Sequence, residues 1–151
     1  MNPYLATFLL AMTPVGELRA SLPLAILGYK IPVEIAFLIS YLGNIIPPIL
    51  IILFLDPISQ FLSKKSIFFK NFFDWIFRRT RTKSKIIERY EMLGLVIFIA
   101  IPLPLTGAWT GSIASFLLGM KPVRAILSVL IGVLIAGVIV TLSTLGIVSL
   151  F

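Results

Sequence analysis

Two apolar runs limit what this chain can fold into. One is Val33–Leu55, VEIAFLISYLGNIIPPILIILFL, and the other starts at Val123 and reads VRAILSVLIGVLIAGVIVTLSTLGIVSLF. Each is longer than the roughly 20 residues a helix needs to cross a hydrocarbon layer about 30 Å thick. Lipid offers no partner to a backbone N–H or C=O, so runs of this kind cross as helices. The chain has 151 residues, 59% hydrophobic and 13% charged, with a mean hydropathy of +1.09. A soluble domain of that size could not bury so much apolar surface. The expected fold is an all-α integral membrane protein built as one unit. Its N-terminus lacks a basic region and an A-x-A-like site, so it does not read as a removed signal peptide.

Two other stretches are apolar yet broken. In AIPLPLTGAWTGSIASFLLGMKP, Pro102, Pro104, Gly107, Gly111 and Gly119 interrupt what would otherwise be one helix, because each proline removes a donor and clashes with the preceding turn. Leu93–Ile101 is about 14 Å long as helix, half the hydrocarbon depth, and Ala108–Leu118 covers a similar distance back. Near the N-terminus Tyr4–Met12 is followed by TPVGELRASLP and then Leu24–Leu27. Two half-length arms joined by an unwound turn describe a re-entrant hairpin, tolerated only where the tip is buried in protein or lines a wet cavity.

Sliding one half over the other by 91 positions pairs Gly16 with Gly107, Ser21 with Ser112, Gly28 with Gly119 and Lys30 with Lys121. Each broken segment precedes a long span, so we read an internal repeat. A single span separates the two copies, which gives them opposite orientation. Residues 1–55 form repeat 1 (hairpin 2–29, transmembrane helix 33–55). Residues 92–151 form repeat 2 (hairpin 92–120, transmembrane helix 123–149). The alternative is four ordinary helices, with 4–29 and 93–119 each a kinked span.

Residues 56–91 are the basic linker. They hold nine Lys/Arg against four Asp/Glu, +5 of the total +7. The positive-inside rule puts this linker in the cytoplasm of a multi-pass plasma-membrane protein. Its KKSIFFKNFFDWIFRR portion suits an amphipathic helix on the membrane surface. A charge signal for topology explains the linker better than attraction to anionic lipid or to nucleic acid, and no nucleic-acid partner is expected.

Glu17 and Arg19 are the charged residues expected at membrane depth, where ionisable groups face a partner or a cavity. Glu17, desolvated and without any histidine to share the task, would carry a proton. Arg19 would hold an anionic head group, helped by amides near Gly107 and Gly111 and by the hydroxyls of Thr106, Thr110 and Ser112. Trp109 would stack on a substrate or pack. The competing structural reading is an internal ion pair, or Arg19 clamping carbonyls freed from the other hairpin tip. Asn44, beside the helix-kinking Pro47–Pro48, would fill the gap those prolines leave. With no cysteine, no acid cluster and no P-loop, neither a metal nor any other cofactor is expected.

The motifs TPVGELRASLPLAI and PLPLTGAWTGSIASFLLGMK resemble the small multidrug export protein family over nearly the whole chain, and more distantly the DedA/VTT membrane proteins. The first resemblance implies export of small compounds, the second movement of polyprenyl-phosphate lipids. They also imply site roles for Glu17, Arg19 and Pro23, and for Pro102, Pro104, Thr106, Gly107, Trp109, Thr110 and Gly111.

The expected function is therefore not enzymatic. The leading reading is a transporter working by alternating access between opposed hairpins, proton-coupled through Glu17, with membrane lipid and a small-molecule substrate as partners. Its alternatives are a translocase of anionic lipid and a structural membrane protein that recruits a partner through the basic linker. Two full spans enclose little, so a homodimer is expected.

Overall fold

The computed structural model describes residues 1–80, 85–103 and 106–150, all helix and connecting turn. The helices are α1 (Pro3–Met12), α2 (Glu17–Pro23, extended by a π-helical turn Leu24–Gly28), α3 (Val33–Lys65), α4 (Ile67–Thr80), α5 (Lys85–Ala100), α6 (Ala108–Leu117) and α7 (Pro122–Leu150). Pro104 lies outside the described residues.

Local chemistry sets the breaks. Asn2 caps α1, its side chain accepting the Tyr4 N–H at 3.0 Å, with Pro3 in the first turn. At the other end Thr13 donates its hydroxyl to the Leu10 carbonyl at 2.7 Å and accepts the Gly16 N–H at 2.9 Å, closing the turn into α2. Pro23 has no N–H to continue α2, and the following turn widens so that Tyr29 N–H reaches the Leu24 carbonyl at 3.0 Å. Gly119, at φ +67°, stops α6: its N–H returns to the Phe116 carbonyl, and that of Met120 to the Ser115 carbonyl, each at 2.9 Å.

The packing is reciprocal. α1 lies along α3 as α5 lies along α7, and α2 and α6 each pack against both long helices, α6 chiefly against α3. Gly16 and Gly107 each immediately precede a helix, α2 and α6, so those helices start in the register of the 91-residue shift. Small residues permit the close approach of helices that lipid would otherwise not drive together. Tyr41 fastens α3 to α7 by donating to the Leu130 carbonyl at 3.1 Å.

Small polar side chains join the apolar core of Leu18, Leu22, Ile99, Val129 and Val133, and large apolar side chains also face outward. Buried positions include Ser21, Ser40, Asn44, Ser112, Ser115, Ser128 and Thr144, while Leu38, Leu42, Leu53, Leu134 and Leu142 face outward. Only 28% of the apolar window of α3 and 44% of that of α7 is buried inside the protein. Large apolar faces left open on two helices of 33 and 29 residues are the surface of a membrane protein.

Two expectations shift. The first long helix does not end at Leu55 but runs through Pro57 to Lys65. Proline costs one bond and a local clash, and the helix continues past it through Ile58, Phe61 and Leu62. Asn44 is buried, yet its Oδ1 finds no partner among the described residues.

Candidate functional site

The two breaks meet. α2 and α6 begin side by side, and around their starts lies a cavity of about 480 Å3 lined by Pro14, Val15, Gly16, Glu17, Arg19, Pro102, Leu103, Thr106, Trp109 and Thr110. Three side chains hold the tips together, each reaching across to the other half.

Glu17 opens α2 at φ +41°, a left-handed conformation rare for a residue with a Cβ. Its carboxylate covers the N-terminus of α6, accepting the Trp109 N–H at 3.3 Å. An acid there meets unsatisfied amides and the positive end of the helix dipole. Trp109 returns the contact: its indole N–H donates to the Met12 carbonyl at 3.3 Å, at the end of α1. Arg19 donates to the carbonyls of Leu103 and, at 3.1 Å, Ile101, and to the Thr106 hydroxyl oxygen at 3.3 Å. Thr106 in turn donates to those same carbonyls, 2.9 Å from each. Pro102 breaks the chain here and leaves backbone acceptors that no helix pairs. The planar guanidinium fork collects several of them at once.

Glu17 and Arg19 are near enough for their charges to attract, but each makes its side-chain hydrogen bonds with the other half. The clamping of the opposite tip by Arg19, one of the two structural alternatives, is realised. Of the residues singled out in the sequence, Glu17, Arg19, Pro102, Thr106, Trp109 and Thr110 line the cavity, and Gly107 lies against the Glu17 carboxylate. Three others lie elsewhere. Pro23 ends α2 away from the cavity. Gly111 sits inside α6 rather than at a helix start, its N–H bonded to the Gly107 carbonyl at 2.8 Å and its Cα against Ile99. Ser112 turns its hydroxyl back to the Ala108 and Trp109 carbonyls at 2.7 and 2.8 Å. Sequence reasoning did not assign Pro14, Val15, Gly16 and Leu103 to the site, though they line the cavity, nor the Met12 carbonyl. The last is a backbone acceptor, which residue type cannot reveal.

No group of metal-ligating His, Cys, Asp or Glu occurs among the described residues. The sequence profile of the family described as "Putative small multi-drug export protein" matches residues 17–139. Searches of curated proteins and of solved structures returned no match.

Proposed function

This chain belongs to the small multi-drug export protein family, and from that premise we propose that it is a transporter whose substrate site is the cavity between the two helix breaks, with Glu17 as its proton carrier. The carrying observation is an acid that lines this cavity while closing the contact between the halves. Protonated, Glu17 no longer offers a charge to the α6 N-terminus, and the tips loosen. Deprotonated, it draws them together. A substrate cation beside the carboxylate and the Trp109 ring would compete for the same charge. Proton and cargo thus act on one contact, as exchange requires. The two broken segments are inverted re-entrant hairpins, a pairing that marks the central site of many transporters. We place the linker in the cytoplasm and a second copy alongside to complete the pathway.

Arg19 already serves three acceptors of the opposite tip. That favours small-molecule export over a translocase in which this guanidinium holds a lipid phosphate.

The test is uptake of a fluorescent amphiphilic cation into proteoliposomes under an imposed pH gradient. Wild-type protein should accumulate it in a gradient-dependent manner, and Glu17→Gln should not. Gradient-driven uptake that persists in Glu17→Gln would refute the proton role, and absence of any uptake by wild type would refute export of this substrate class.

A further inference from the structure

At the end of α3 the chain turns through Ser66 into α4, and the elbow encloses a groove of about 520 Å3 whose lining includes Ser63, Lys64, Lys65, Ser66, Lys70 and Asp74. Lys64 and Lys65 suit the C-terminus of α3, where the helix dipole favours cations. Lys70 comes from the next helix and has no such reason to be there. Lys65 stands over the Phe61 ring at 4.5 Å and Ser63 returns its hydroxyl to the Ser59 carbonyl at 2.7 Å, so the three ammonium groups against one carboxylate give the concavity its cationic character.

α4 presents two different faces. Ile76 is 3% exposed, and the Phe73 ring meets Phe116 of α6 edge-on at 6.0 Å, so one face is fastened to the bundle. On the outer face Phe68, Phe72 and Trp75 follow at helical spacing, with exposures of 73%, 43% and 59%. This stripe continues the outward apolar surface of α3, where Phe54, Ile58 and Phe61 are each half or more exposed. A helix with an aromatic stripe beside cationic groups lies in the plane of a membrane interface. The surface that leads to the groove is therefore lipid-facing, and ammonium groups are ligands for phosphate.

We propose that the α3–α4 elbow binds the phosphate head group of an anionic phospholipid, with Phe68, Phe72 and Trp75 set into the acyl boundary beside it. The site lies apart from the cavity between the helix breaks and does not depend on what that cavity carries.

The test offers the full-length protein in detergent equal amounts of phosphatidylglycerol and phosphatidylcholine, and reads the retained lipid by native mass spectrometry. Wild-type protein should prefer phosphatidylglycerol by about tenfold. Lys64→Gln/Lys70→Gln should abolish the preference, and Lys64→Arg/Lys70→Arg should keep it. Arg89→Gln/Lys121→Gln, which removes the same charge outside the groove, should also keep it. The site is refuted if the groove glutamine pair retains the preference or if both glutamine pairs lose it equally. Displacement of the lipid by millimolar inorganic phosphate would assign the groove to free phosphate and overturn the lipid.

Discussion

Gly107 and Glu17 share a boundary that leaves no room for a methyl group: a Cβ on Gly107 would sit 2.6 Å from Glu17 Oε1 and closer still to Oε2. The contact joins residues 90 positions apart and sits where the two halves meet. It makes the glycine before α6 a condition for the acid to reach that helix.

Gly107→Ala should therefore push the Glu17 carboxylate off the α6 N-terminus. Stability should fall by about 1 kcal/mol, the worth of the contact it breaks, and Glu17→Ala should relieve much of that loss. Thermal unfolding of the two single variants and the double variant in detergent measures the coupling. Simple addition of the two effects would remove the contact from consideration.

Arg19→Lys should behave much like Arg19→Ala. An ammonium is a single point, whereas the fork serves the Ile101 and Leu103 carbonyls and the Thr106 oxygen together. Both carbonyls keep the Thr106 hydroxyl and a backbone N–H as partners, so what is lost is the charged donor at a partly open site, about 1 kcal/mol. The readout is the melting temperature of each variant, and a lysine variant as stable as wild type contradicts the clamp.

Trp109→Phe keeps a ring in the cavity wall and removes the donor to the Met12 carbonyl. A loss of about 1 kcal/mol is expected in unfolding experiments. Trp109→Ala, which also removes the ring, should further weaken binding of an aromatic or cationic substrate.

Because the sequence contains no cysteine, pairs can be introduced on a clean background. Val15→Cys and Leu103→Cys, from opposite halves of the cavity lining, should join under a short bifunctional thiol reagent in native membranes. Pairing Val15→Cys with Leu150→Cys should give none. Equal yields would mean that the tips do not meet.

Arg124 and Glu88 form an ion pair between the start of α7 and α5, with side chains 35% and 24% exposed. Partial exposure screens it, and a double-mutant cycle should give no more than about 1 kcal/mol. Added salt should weaken it further. Its contribution is to hold α5 along α7 rather than to carry stability.

The sequence by itself determined the membrane class, the two long helices and the positions of the breaks. Each of these is set by neighbouring residues: apolar length against bilayer thickness, and prolines and glycines against helix continuity. It also singled out Glu17 and Arg19, because a charge in an apolar setting is conspicuous without any knowledge of the fold. Tertiary structure decided what those charges touch. Glu17 meets the Trp109 amide, Trp109 meets the Met12 carbonyl, and Arg19 meets carbonyls at Ile101 and Leu103. Most of these partners are backbone atoms, which every residue carries alike, so no pattern of residue types announces them. The same distinction separates Thr106 from Ser112. Both are hydroxyls near one break, but Thr106 precedes α6 and lines the cavity, whereas Ser112, inside α6, bonds back onto its own helix.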